Sequence, residues 1–169
     1  MPWKVLNILV LYIEDSPADR DLIGRLLYES KSFSMAVAST ATLTSALNVL
    51  RGVGPAFDIL LLDLSLPDAD GESAVATLHQ EFPHLPIITL ADAVDPEQVS
   101  RCYALGAAGY LHKRKGLEAV DLDNAILGAI HKPSKPPVIP PESKKTVAVV
   151  AGIGGAIQLI IYAILEYLK

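Results

Sequence analysis

The sequence predicts an α/β fold. Five βα units build a doubly wound parallel sheet, and a Pro-rich linker and one hydrophobic C-terminal helix follow. Three observations predict it. Apolar runs of roughly four to eight residues recur, and stretches of helical spacing separate them. The runs are apolar on both faces, as a parallel sheet covered by helices on both sides requires. Right-handed crossovers then wind the sheet in both directions. Finally, composition changes abruptly near residue 131: a proline-dense stretch leads into an uncharged one, Thr146 to Leu165.

Val5–Ile13 is the first strand. It follows Lys4 and is short for a signal peptide, has no small-residue cleavage site, and runs straight into "EDSPADRD". Ser16 as N-cap and Pro17 at the first helical position open a helix with Leu22, Ile23, Leu26 and Leu27 at helical spacing. Phe33–Ala38 is the second strand. A helix from Thr40 to Arg51 carries Leu43, Leu47 and Leu50 on one face, and "GVGP" ends it. Phe57–Leu62 is the third strand, followed by a helix over Gly71–Phe82 that Pro83 closes. Leu85–Leu90 is the fourth strand, Pro96–Leu105 a helix ended by Gly106, Gly109–His112 the fifth strand, and Leu117–His131 the last helix.

Bulk properties narrow the function. The chain has 169 residues, 51% of them hydrophobic, and a net charge of −5. That balance argues against a nucleic-acid partner, because phosphate binding needs clustered Lys and Arg. The lone Cys102 excludes an intramolecular disulfide and any multi-cysteine metal site, and it reads as a helix packing residue.

In a doubly wound sheet the crevice lies beyond the carboxyl ends of the strands. The first strand ends in Glu14-Asp15, the third in Asp63 and the fifth in Lys113. Acids often follow strands only because they start helices. Three acids and a lysine at matching strand ends are a stronger sign. Carboxylates at this density repel, and the usual remedy is a hard divalent cation such as Mg²⁺. A calcium loop in "DADG" is excluded by its spacing.

Residues 4 to 132 resemble the response-regulator receiver domain of two-component signalling, a flavodoxin-like fold. The resemblance is carried by "ILVLYIEDSPADRDLI", "DILLLDLSLPDADG", "LPIITLADA" and "GAAGYLHK" together. It implies that Asp63 accepts a phosphoryl group from a histidine kinase or phosphotransfer protein. It also implies that Glu14, Asp15, Asp63 and the Ser65 backbone carbonyl hold Mg²⁺, and that Lys113 pairs with the acceptor or its phosphoryl group. The chemistry agrees: a carboxylate nucleophile, with Mg²⁺ and lysine against the transferring charge. Two positions depart from the family. Ala91 stands where the fourth strand usually ends in a Ser or Thr hydroxyl, and Thr89 lies too far back along the strand to replace it. One charge-assisted hydrogen bond, about 1.5–3 kcal/mol, is lost there, so transfer is expected to survive and the conformational switch to weaken. Asp92 would repel a phosphoryl group unless it faces away. Arg114 replaces the proline many receivers have after the lysine. Tyr110 matches the family's switch aromatic, and an ordinary half-buried strand residue remains the equal alternative.

Residues 133–145 form the linker, with P-x-x-P spacings that read as a semi-extended spacer. Residues 146–168 read as a transmembrane helix. Its uncharged stretch, roughly 30 Å as a helix, matches a bilayer, and its glycines suit membrane helices. A buried helix of a soluble oligomer is the competing reading. A dinucleotide-fold reading of "VAVVAGIGGAI" fails for want of a third glycine. Lys144 and Lys145 against Lys169 place the N-terminal side in the cytoplasm. Ala148, Gly152 and Ala156 form a small-residue stripe for a homodimer or a membrane-protein partner. The expectation is a receiver domain (1–132) tethered to the inner membrane by a single pass, facing the cytoplasm, with no enzymatic activity of its own. The alternative is a phosphorylation-independent scaffold docking partners at a membrane complex.

Overall fold

β1 (Leu6–Ile13) is the centre from which the sheet grows in two directions. It pairs in parallel with β2 (Phe33–Thr40) along its whole length, and over Val10–Ile13 with β3 (Ile59–Asp63). The computed structural model describes residues 6–53, 56–93, 95–113 and 116–131. Arg114, the linker 133–145 and the expected membrane helix 146–168, with Ala148, Gly152 and Ala156, lie outside the described residues. Among the described residues no helix is long and apolar enough to cross a membrane.

A two-residue antiparallel ladder, β4 (Ser65–Leu66) with β5 (Ala69–Asp70), sits just beyond β3. β6 (Ile87–Ala91) then pairs with β3, and β7 (Gly109–His112) with β6, both in parallel. These are the expected fourth and fifth strands. The order β2-β1-β3-β6-β7 puts the point where the winding reverses between β1 and β3. Sheets of this kind bind ligands there.

The five helices are α1 (Pro17–Tyr28), α2 (Leu43–Val53), α3 (Gly71–Glu81), α4 (Pro96–Ala104) and α5 (Ala119–Ile130). They cover both faces. Leu9, Leu11 and Ile13 of β1 belong to one core with Leu50 of α2, Leu78 of α3 and Cys102 of α4. Ile8, Val10 and Tyr12 belong to the other, with Ile23 and Leu27 of α1 and Leu122 and Ile126 of α5. The side chains of a strand alternate in direction, so one strand feeds two cores. β3 and β6 are buried at every position, which is why they read as unbroken apolar runs. Cys102 is buried, and burial pushes its thiol pKa up.

Some boundaries differ from the sequence reading, for local reasons. β2 runs on to Thr40, so α2 begins at Leu43. The Thr42 hydroxyl accepts from Ser45 N at 3.1 Å and caps the helix, which starts three residues later than expected. β3 starts at Ile59; just before it the Asp58 carboxylate, not a backbone carbonyl, accepts from Leu9 N at 2.8 Å. α5 starts at Ala119 behind a capping box of Glu118 and Asp121.

Candidate functional site at the carboxyl edge of the sheet

Each site residue reaches its place through the end of a strand. Glu14 follows β1, where its amide bonds the Thr40 carbonyl at 2.9 Å. Asp63 is the last residue of β3, and Lys113 follows β7 with its amide on the Ala91 carbonyl at 2.8 Å. Asp15 stands exposed beside Glu14. Glu14, Asp15 and Asp63 bring one carboxylate oxygen each within 4.8 Å of one another.

Lys113 is the positive centre of this edge, with a side chain only 4% exposed. Its Nζ lies 2.7 Å from Asp63 Oδ1, 3.0 Å from Asp19 Oδ2 and 3.1 Å from Glu14 Oε2. Asp92 Oδ1 is further, at 3.6 Å, on a side chain 68% exposed. Burial pulls the lysine pKa down, but Asp63, Asp19 and Glu14 outweigh it and hold it above the ordinary lysine value.

The two buried carboxylates are held differently. Glu14 is fully partnered: Oε1 accepts from Ser16 N at 3.0 Å, and Oε2 from the Tyr12 hydroxyl at 2.9 Å and from Lys113. Tyr12 is buried, and its burial and the Glu14 charge keep its phenol protonated far above the usual range. Asp63 accepts from Ser65 N at 2.8 Å on Oδ2, while its buried Oδ1 takes no hydrogen bond and has only the lysine ammonium against it. That leaves one oxygen of Asp63 without a neutral donor, facing charge. Arg20 steadies the loop between β1 and α1, its Nη1 donating to the Glu14 and Asp15 carbonyls at 2.7 and 3.2 Å.

The donor set fits a hard divalent cation. Three carboxylates offer oxygen alone, and one oxygen of each lies within 4.8 Å of the others. Ser65, whose carbonyl the resemblance adds, opens the β4–β5 ladder next to Asp63.

Ala91 ends β6 opposite His112 and offers no hydroxyl. Thr89 is fully buried and donates to the Gly109 carbonyl at 3.3 Å, so its hydroxyl is directed across to β7. The loop after Ala91 is tied down from β7 instead. Tyr110 OH donates to the Ala93 carbonyl at 3.0 Å, and His112 Nε2 donates to the Asp92 carbonyl at 2.9 Å. Tyr110 also packs against the core shared by α2, α3 and α4.

This arrangement has relatives. The family model of the response regulator receiver domain matches residues 10–127. The chain belongs to the response regulator receiver domain family. A glycerol metabolism activator of Pseudomonas putida is 31% identical over 104 residues, which are 62% of this chain and 46% of that protein. A protein-glutamate methylesterase/protein-glutamine glutaminase of Anaeromyxobacter dehalogenans is 34% identical over 106 residues, 63% of this chain and 30% of that one. The receiver thus spans half or less of the length of these two curated relatives. Among solved structures, a receiver domain protein of Clostridium thermocellum superposes with a TM-score of 0.64 at 24% identity, covering 73% of this chain and 94% of that one. The Mn²⁺-bound form of response regulator Rcp1 superposes at 0.60 with 25% identity, covering 77% and 99%.

Sequence reasoning brought Glu14, Asp15, Asp63 and Lys113 of this receiver to one place, and the structure joins them there. It did not single out Asp19, Tyr12, Arg20 or His112. Asp19 had a visible signal, since it is a third acid close behind Glu14-Asp15 in the sequence. Its place in the first turn of α1, behind the Ser16 cap, already gave it an explanation by the helix dipole. Tyr12 and His112 had no signal beyond their strand register.

Proposed function

We propose that this receiver accepts a phosphoryl group on Asp63 from a histidine kinase or phosphotransfer protein. Glu14, Asp15, Asp63 and the Ser65 carbonyl would hold Mg²⁺. The observation that carries the reading is Asp63 at the winding reversal, its buried Oδ1 2.7 Å from Lys113 Nζ and within reach of the other two acids. In the transfer a carboxylate oxygen of Asp63 attacks phosphorus. The P–N bond of the phosphohistidine breaks and its electron pair stays on the imidazole nitrogen. Lys113 neutralises charge on the phosphoryl oxygens, and bound Mg²⁺ would supply further positive charge. The test is incubation with acetyl phosphate and Mg²⁺, comparing the wild type with Asp63→Asn. Label on the wild type and none on Asp63→Asn is expected. An unlabelled wild type would sink the reading.

The tail extends the proposal. Residues 146–168 tether the receiver to the inner membrane in a single pass, with the receiver in the cytoplasm, and no nucleic acid or enzymatic output is assigned. The support is the uncharged length of Thr146–Leu165 and the lysine asymmetry around it. Alkaline carbonate washing of membranes tests this: the protein should stay in the pellet, and release would refute a spanning helix.

One observation favours a second reading, a receiver fold used as a scaffold without phosphorylation. Ala91 lacks the hydroxyl through which a phosphoryl group would draw its loop, and Tyr110 and His112 already hold that loop. The same labelling experiment separates the two.

A further inference from the structure

Asp19 touches the site without belonging to the trio that could share a cation. It projects from the first turn of α1, with its side chain 31% exposed, and its Oδ2 lies 3.0 Å from Lys113 Nζ. Consider the four carboxylates around that ammonium. Glu14 and Asp63 belong to the candidate cation set. Asp92 is distant and mostly in solvent. A cation on the trio and a phosphoryl group on Asp63 would therefore claim the charge of Glu14 and Asp63, and leave Asp19 as the close carboxylate still acting on the lysine.

We propose that Asp19 is a positioning residue that draws the Lys113 ammonium toward α1 and so limits its hold on a phosphoryl group at Asp63. The proposal rests on the phosphoacceptor reading above. Its physical basis is competition. One ammonium has three protons; two are given to Glu14 Oε2 and Asp19 Oδ2, and the charge also stands 2.7 Å from Asp63 Oδ1. A phosphoryl group seeking the lysine competes with these hydrogen-bonded carboxylates, and Asp19 is the one outside the candidate cation set. The backbone role of Asp19 is separate: its amide donates to Ser16 Oγ at 3.3 Å whatever side chain it carries.

The test uses the full chain as wild type, Asp19→Asn and Asp19→Glu. Beryllium trifluoride with Mg²⁺ is the probe for the phosphoryl group. Asp19→Asn should bind it about five-fold more tightly, the size of one partly exposed charge-assisted contact, and Asp19→Glu should return the affinity toward wild type. A second readout needs no metal: the Lys113 Nζ protons, followed by nitrogen-15 NMR, should exchange faster with water in Asp19→Asn. A residue that served only the helix dipole would lower stability and move neither value. Unchanged or weaker binding in Asp19→Asn, or unchanged Lys113 exchange, overturns the proposal. If the wild type binds no beryllium trifluoride, the phosphoacceptor reading fails, and the Lys113 exchange rate still decides whether Asp19 holds the lysine.

Discussion

Lys113 places a charge where little water reaches it, and the surrounding acids determine what that charge is worth. Its side chain is 4% exposed, and those of Glu14 and Asp63 are 1% exposed. Removing one partner from a buried ionic group leaves the others uncompensated, which typically costs about 3–5 kcal/mol. Lys113→Met should therefore destabilise the protein by about 3 kcal/mol in urea unfolding without divalent metal. Mg²⁺ should recover part of that loss, because a cation on Glu14, Asp15 and Asp63 relieves the same repulsion. A variant as stable as wild type in metal-free buffer would mean that water, not the lysine, screens these acids. Tyr12 belongs to the same balance, since its hydroxyl is a neutral donor to buried Glu14 Oε2.

At the scale of elements, the loop after β3 organises two helices at once. Asp68 accepts from the Leu43 and Thr44 amides at 2.9 Å each and from the Thr44 hydroxyl at 2.8 Å, so it caps α2 from another part of the chain. Asp70 caps α3 through Ser73 N at 3.0 Å. Desolvation pushes the Asp68 pKa up, but those α2 donors prevail and lower it. A lowered carboxylate stabilises fully above its unfolded value of about 3.9 and loses that contribution as pH falls through the folded value. Asp68→Ala should cost about 1 kcal/mol at neutral pH, as a lost cap does. The difference from wild type should shrink as urea unfolding is repeated at falling pH below about 4; a difference constant with pH would rule out the ionised cap. Gly71 answers a different need. A Cβ there would stand 2.6 Å from Leu64 Cβ and 2.7 Å from its Cα, and backbone does not yield as a side-chain end does. Gly71→Ala should lose about 1–3 kcal/mol by overpacking, readable as a lowered thermal midpoint. Local signals marked Ser16-Pro17 as the start of α1, and Asp95-Pro96 opens α4 in the same way. The cap from Asp68 was not legible, because its partner at Leu43 lies 25 residues away. Strand ends were legible because apolar runs stop at charged residues, which is how Glu14, Asp63 and Lys113 were found. Asp19 was hidden because a helix start explains an acid without any site.

At the scale of the molecule, the sheet divides the apolar interior into two layers that share only its strands. The core over α2, α3 and α4 is closed by residues from Leu9 to Ala107, and the core over α1 and α5 by residues from Ile8 to Ala129. Each fully buried Leu or Ile contributes roughly 1.5–3 kcal/mol, and the described residues already furnish an apolar layer on each face of the sheet. The site residues described above likewise lie within Tyr12 to Lys113. The receiver should therefore need nothing from the linker or the tail to fold, while its place in the cell should depend on the tail. A chain stopped after His131 tests both halves of that statement against the full chain. The shortened protein should keep its thermal midpoint, its cooperative unfolding and its labelling by acetyl phosphate, and should move from the membrane pellet to the supernatant. If it unfolds, residues beyond 131 complete a core and the separation of receiver from tail is wrong. If it folds and both forms stay in the supernatant, the receiver stands and the membrane tether falls.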